Sequence, residues 1–292
     1  MTIHVTGLID VFADHPLSGN PLAVVEGADG LPDDTLRRIA GELNQAEITF
    51  VMTSTRADWK LRSFTASGAE VSGAGHNALG AWLWLGEHGR LGALDTARTF
   101  HQELGTDVLP ITLEARGGRI YGRMRQAALR LSPPLSDLAP LAAALALTID
   151  DVVARPAPRT AHTGAGHLMA RVRDPAAVDR CRPASEPLLA VLRSAGAEGC
   201  YVYAFDDAAP QTAYARFFNP TVGLWEDAAT GTAAGPLCAY LGSEGLLSRD
   251  NTLVIEQGVR MGRRSLLHVR LVPEPELSGS GVVVVRGWLD LR

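Results

Sequence analysis

Short runs of alternating apolar and polar residues, broken by Gly, Pro and Asn, dominate this chain. That alternation marks half-buried strands separated by turns. Residues 5–12, 21–25, 48–52 and 59–64 read as strands of a first half, and 111–116 with 120–125, separated by Gly117-Gly118-Arg119, read as a hairpin. The period changes over 33–43, where Leu36, Ile39, Ala40 and Leu43 fall at helical spacing and predict an amphipathic helix. A second half echoes the order in pieces at 166–172, 188–195, 200–205, 213–218 and 254–257. Ser132-Pro133-Pro134-Leu135-Ser136 reads as the linker, because proline removes backbone donors and stops regular structure. The expected domains are therefore 1–131 and 132–280, with 281–292 able to return to the first. A second punctuated stretch covers 273–281, and 282–291 reads as a last strand pair or one long strand. Residues 156–163 show no period and receive no element.

Two segments depart from alternation and are apolar on nearly every side: Ala78 to Leu85 (ALGAWLWL) and Ala233 to Leu241 (AAGPLCAYL). Such helices must be enclosed on all faces. They belong to a repeat. Arg62-Ser63-Phe64-Thr65 and Glu70 to Ala78 (EVSGAGHNA) reappear as Arg216-Phe217-Phe218-Asn219 and Glu226 to Ala234 (EDAATGTAA). The spacing that takes Gly75 to Gly231 also takes Glu70 to Glu226, Gly86 to Gly242 and Leu91 to Leu247. Small residues Ala78, Gly80 and Ala81, and Ala233, Ala234 and Gly235, allow a surrounding sheet to approach closely. Pro236 is tolerable in a first turn, which places the second helix's start near Thr232.

Composition narrows the partners. A net charge of −5 and a 46% apolar fraction give neither a basic nucleic-acid footprint nor a disordered tail, so a small molecule is the expected ligand. No basic stretch leads into an apolar signal core, and no apolar run is long enough to cross a bilayer, so no membrane partner and a cytoplasmic location are expected. Cys181, Cys200 and Cys238 have no paired or metal-ligand spacing, and Cys238 reads as a small core residue. His162 and His167, the nearest histidine pair, have no carboxylate or thiol at ligand spacing, so no metal is expected. Lys60 is the chain's one lysine and reads as an edge-facing charge, which leaves Schiff-base chemistry with pyridoxal phosphate almost without a candidate.

The starts of the two apolar helices are the candidate site. Free backbone N–H groups there, with the positive end of the helix dipole, bind anions, and Gly75 and Gly231 remove side chains that would block approach. Facing halves could present both starts to one cleft and hold a carboxylate. Nearby polar residues concentrate on these starts: His76, Asp227 and Thr232 each have an ordinary role as a turn or cap residue, yet all fall at matched positions. Glu47 precedes the apolar run 48–52, where burial could raise its pKa toward that of a working acid/base.

Gly19-Asn20-Pro21-Leu22-Ala23-Val24, Glu47-Ile48-Thr49-Phe50-Val51, Phe64-Thr65 with Glu70-Val71, Gly75-His76, Arg216-Phe217-Phe218 with Pro220, Glu226-Asp227-Ala228-Ala229-Thr230-Gly231, and Gln257-Gly258 with Met261-Gly262-Arg263 occur in this order over nearly the whole chain. Together they resemble the PhzF-like phenazine-biosynthesis isomerase family. The resemblance implies an α+β, diaminopimelate-epimerase-like fold of two pseudo-symmetric domains, each a β-barrel around a central helix, with the active site between them. It implies Glu47 as the general acid/base, and His76, Asp227 and Thr232 as the polar groups facing the substrate, with Thr232 standing where serine is usual. It also implies substrate binding by Asn20, Gly75, Asn77 and Gly231, no cofactor, and a homodimer. Asn77 stands where a small residue is usual.

Relatives on this fold that epimerise or racemise amino acids use one cysteine at each helix start. Here those positions are Ala74 and Thr230, neither able to exchange a proton as a thiol does. The expected reaction is therefore a cofactor-independent isomerisation that shifts a proton within a small carboxylate-bearing metabolite. Alternatives are a metabolite-binding protein on the same scaffold, or a double hot-dog thioesterase or hydratase.

Overall fold

In the computed structural model, which describes residues 3–71, 73–222, 224–248 and 252–291, strand β1 (Ile3–Val11) pairs antiparallel with β2 (Asn20–Glu26). The chain then crosses through α1 (Asp33–Leu43) to β3 (Glu47–Met52), which lies parallel to β2 with Leu22 opposite Glu47. β4 (Trp59–Phe64), β5 (Glu70–Val71), α2 (His76–Glu87), β6 (Arg98–Leu104), β7 (Asp107–Arg116) and β8 (Arg119–Arg125) follow. Helix α1 covers one face of this sheet, packing Leu36, Ile39 and Ala40 against Ala23, Val25, Ile48, Phe50 and Phe64.

The opposite face wraps α2, which is buried from His76 through Leu85. Close approach depends on Gly80, where an added Cβ would come within 2.6 Å of both Leu22 and Val11 side chains. Burying side chains such as Leu79, Trp82 and Leu83 contributes about 1.5–3 kcal/mol each.

The second set of elements comprises β9 (Arg130–Leu131), α3 (Ala139–Ala144), β10 (Arg159–His162), β11 (Gly166–Arg171), α4 (Pro175–Arg180), α5 (Ser185–Ala195), β12 (Gly199–Ala204), β13 (Thr212–Asn219), β14 (Leu224–Asp227), α6 (Gly231–Ser243), β15 (Thr252–Gln257) and β16 (Ser265–Leu271). Its ladder runs β9-β10-β11-β12-β13-β15-β16, and α6 touches β10 and β11 as well as β16, so the sheet curls around this helix. On the outer face Leu141, Val178, Leu188 and Leu192 of α3, α4 and α5 pack on Leu168, Cys200, Val202 and Phe218.

The chain divides into two compact units, Met1–Met124 with Ser278–Arg292, and Arg125–Leu277. The last strand, β17 (Pro275–Asp290), starts in the second and from Ser278 onward belongs to the first, where it pairs antiparallel with β1 and also borders β8. In the first unit β1, β2, β3, β4, β6, β7, β8 and β17 thus close on themselves around α2.

Several expectations need correction. The stretch 273–281 is punctuated only as far as Glu274, because β17 begins at Pro275 and runs unbroken through the rest: Gly279 and Gly281 lie against Phe12 and Ile9, where side chains would collide. Pro236 is not in the first turn of α6 but in the second, so Thr232 lacks the usual helical donor to its carbonyl. Residues 156–163 do hold a strand, β10, whose periodicity is hidden because Thr160 and Ala161 are both buried. Strand β6 had no sequence assignment. Arg119 is not a turn residue: it faces Arg116 across a two-residue turn, with Gly117 and Gly118 at φ 56° and 76°.

Candidate functional site

In the first unit, Glu47 opens β3 and His76 opens α2. Parallel pairing places Glu47 beside Leu22, so Glu47 and Leu22 share the sheet face that carries α2. Asn20, two residues before Leu22 on β2, lies on the same face and is buried. The Glu47 side chain is 22% exposed, its Oε2 is buried, and that oxygen lies 4.0 Å from His76 Nδ1. Burial holds the His76 imidazole down to about pKa 4, so it is neutral at pH 7, and its Nε2 is buried with no hydrogen-bond partner. The pair is thus a carboxyl group beside a neutral imidazole at a helix start, and not an ion pair.

Gly75 caps α2 without a side-chain bond. The Asn77 carboxamide holds this turn: its Oδ1 accepts the Gly75 N–H at 2.7 Å and its Nδ2 donates to the Gly73 carbonyl at 2.9 Å. One of the N–H groups expected to meet an anion is therefore already occupied. Thr49 of β3 donates to the Asn77 carbonyl at 3.4 Å and ties the helix start to the strand that carries Glu47.

In the second unit, Asp227 ends β14 and Gly231 and Thr232 begin α6. Asp227 is 7% exposed. Its Oδ2 accepts the Thr230 hydroxyl at 2.6 Å. Beneath them lies Gln257, fully buried, which donates to the Asp227 carbonyl at 2.8 Å and to Thr230 Oγ1 at 3.0 Å and accepts from the Tyr201 hydroxyl and the Thr230 N–H. Burial drives the Tyr201 phenol well above its ordinary pKa, so it remains a donor. Thr232 is half-buried, and its hydroxyl lies 3.1 Å from His167 Nε2. His167 packs edge-on against Phe217 and is held neutral by burial, its pKa down to about 4.

The structure thus brings Glu47 and His76 together in one unit, and Asp227, Thr230 and Thr232 around one helix start in the other. Sequence reasoning missed His167, noted only as a neighbour of His162, and gave no role to Tyr201. The Gln257-Gly258 motif was the available signal for Gln257. All three cysteines are buried, with thiols pushed up by desolvation, and none lies at a helix start. Among the described residues, no group of three or more His, Cys, Asp or Glu is placed to hold a metal ion, and no helix is long and apolar enough to cross a membrane.

Two units, each a curved sheet wrapped around a central helix with polar groups at the helix start, make this an α+β protein of diaminopimelate-epimerase-like fold, and the curated relatives on it are named isomerases. The family model described as phenazine biosynthesis-like protein matches residues 9–287, and the chain belongs to that PhzF-like family. The chain is 32% identical to trans-2,3-dihydro-3-hydroxyanthranilate isomerase of Pseudomonas aeruginosa, over 96% of this chain and 97% of that one. Among solved structures it resembles a PhzF-family phenazine biosynthesis protein of Bacillus anthracis, with TM-score 0.88, 25% identity and full coverage of both chains. It also resembles a predicted epimerase of Pseudomonas aeruginosa, with TM-score 0.83 and 30% identity over 98% of this chain and 99% of that one. Family and fold together remove the double hot-dog alternative.

Proposed function

We propose that this isomerase shifts a proton within a small carboxylate-bearing metabolite, using Glu47 as its one acid/base group and no cofactor. The observation that carries the reading is the Glu47 carboxyl, with one oxygen buried beside the neutral imidazole of His76 at the start of α2. Glu47 takes a proton from an activated carbon and returns it to another carbon on the same face. One group suffices because donor and acceptor carbons belong to one molecule. Neutral His76 offers the substrate a hydrogen bond without adding charge beside Glu47. In the second unit Asp227 accepts from an amine or hydroxyl, and the Thr232 hydroxyl with the helix start at Gly231 suits a carboxylate; Gly75 opens the corresponding helix start of the first unit. Asn20 bounds the ligand near Glu47, and Asn77 shapes the Gly75 turn that meets it. We include a homodimeric state and a cytoplasmic location in the proposal; sedimentation tests the first.

The compound to try first is trans-2,3-dihydro-3-hydroxyanthranilate, because the curated relative at 32% identity is named for it. Glu47→Gln is expected to lower turnover by about 10²–10⁴-fold while leaving the thermal midpoint in place. In D₂O the unaltered protein should place deuterium in the product. Unchanged turnover by Glu47→Gln eliminates the base. Tight binding without turnover would instead favour a metabolite-binding protein on this scaffold.

A further inference from the structure

We infer that Gln257, braced by Tyr201, is a positioning residue that acts through Thr230 to fix Asp227 as a hydrogen-bond acceptor. The inference rests on the proposed role of Asp227 and adds residues that role does not name.

The hydrogens of this cluster can be placed by elimination. A carboxamide nitrogen only donates and its oxygen only accepts. Gln257 Nε2 has two hydrogens, and two acceptors meet it: the Asp227 carbonyl at 2.8 Å and Thr230 Oγ1 at 3.0 Å. Gln257 Oε1 likewise meets two donors, the Tyr201 hydroxyl at 2.9 Å and the Thr230 N–H at 3.2 Å. The reversed carboxamide would set nitrogen against the Thr230 N–H and oxygen against the Asp227 carbonyl, so this orientation is fixed. Because Thr230 Oγ1 already receives the Gln257 hydrogen, its own hydroxyl hydrogen is available for Asp227 Oδ2, 2.6 Å away.

Asp227 Oδ2 is therefore held as an acceptor of the Thr230 hydroxyl, which fixes the plane of the carboxyl group. A carboxylate so held selects a substrate bearing an ammonium or hydroxyl donor at that point. The inference also accounts for Thr230 itself. At the position where epimerases of this fold carry a proton-exchanging thiol, this chain has a hydroxyl committed to orienting its neighbour.

Crystal structures and kinetics of Gln257→Leu, Thr230→Val, Thr230→Ser and Tyr201→Phe test this. In Gln257→Leu and Thr230→Val the Asp227 carboxylate should leave its present rotamer, whereas Thr230→Ser, which keeps the hydroxyl, should retain it. With trans-2,3-dihydro-3-hydroxyanthranilate, kcat/KM should fall about tenfold in Gln257→Leu and in Thr230→Val. Gln257→Leu made on the Thr230→Val background should add less than a further twofold, because both act on one bond. Thr230→Ser should restore the rate, and Tyr201→Phe should lose less than Gln257→Leu. An unmoved Asp227 carboxylate in Gln257→Leu overturns the inference, as does multiplicative loss in the double variant. If the unaltered protein does not turn over this compound, the substrate reading fails and the Asp227 rotamer in the Gln257→Leu and Tyr201→Phe crystals decides the inference by itself.

Discussion

The start of β3 and the start of β12 are the same place in two copies of one plan, and they have diverged in opposite directions. In the first unit Ile48 pairs with Phe64, and in the second Cys200 pairs with Phe218. Aligning these pairs sets Glu47 against Gly199, Thr49 against Tyr201 and Ser63 against Phe217. No side chain fits at Gly199: an added Cβ would lie 2.4 Å from the Phe217 ring. One unit keeps a small residue and leaves room for an acid, while the other gives that room to an aromatic. The duplicated plan thus carries a carboxyl at this place in one unit and not in the other, which suits the proposed movement of a proton between carbons of one face better than inverting a centre from both sides.

The Arg clamp shows the same divergence in energetic form. Arg62 grips Glu70 with two bonds and lies over Phe64; Arg216 grips Glu226 with two bonds and lies over Phe218. In the first copy the Glu70 side chain is 43% exposed, whereas in the second both partners are largely buried and Arg216 also donates to the carbonyls of Val178 and Cys181. Glu226→Ala is expected to cost about 3–5 kcal/mol, because it strands a buried guanidinium. Glu70→Ala should cost less than about 1 kcal/mol. Urea unfolding of both variants measures the contrast, and equal losses would break it.

Acid sensitivity should be shared between the units instead. His76 and His167 are each held near pKa 4 by burial, against 6.5 for the exposed group. Between those values the unfolded chain binds protons that the folded chain refuses, so stability is full above pH 6.5 and falls as the pH drops toward 4. Each histidine contributes roughly 3 kcal/mol to that fall. His76→Phe and His167→Phe should each flatten the stability profile over this window by a similar amount. A variant that leaves the slope intact would show its histidine to be accessible to protons in the folded state.

Much of this organisation is legible in the chain because its causes are local. The helix at 33–43 is found to the residue, since its apolar stripe and the following Asn44 in the left-handed region both act within one turn. The repeat discloses both central helices, since a segment apolar all round can only be enclosed. Register is not local. That Leu22 faces Glu47, or that Gln257 lies under Asp227, depends on strand pairings far apart in sequence. His167 and Tyr201 look like ordinary strand residues until pairing turns them toward α6. β6 is not legible in the sequence because its start is exposed, so that Arg98 and Thr99 read as loop.

A carboxamide braces each helix start, supplied differently, and at α6 Gln126 adds a second one by donating to the Gly231 carbonyl. In α2 it is Asn77, on the helix itself, holding Gly75 and Gly73; in α6 the matched position is Ala233 and the carboxamide arrives from β15 as Gln257. A brace four residues long closes its loop at little entropic cost, so its loss should be felt locally. Asn77→Ala removes two bonds around a half-buried turn and should destabilise by about 1–2 kcal/mol, less than the loss of a buried charge partner. It also frees the Gly75 N–H, adding a donor at the start of α2. The sharper measurement is therefore anion affinity: Asn77→Ala should bind benzoate at least as tightly as the unaltered protein despite its lower stability. Weaker binding would mean that the rigidity Asn77 gives the turn matters more than the donor it occupies.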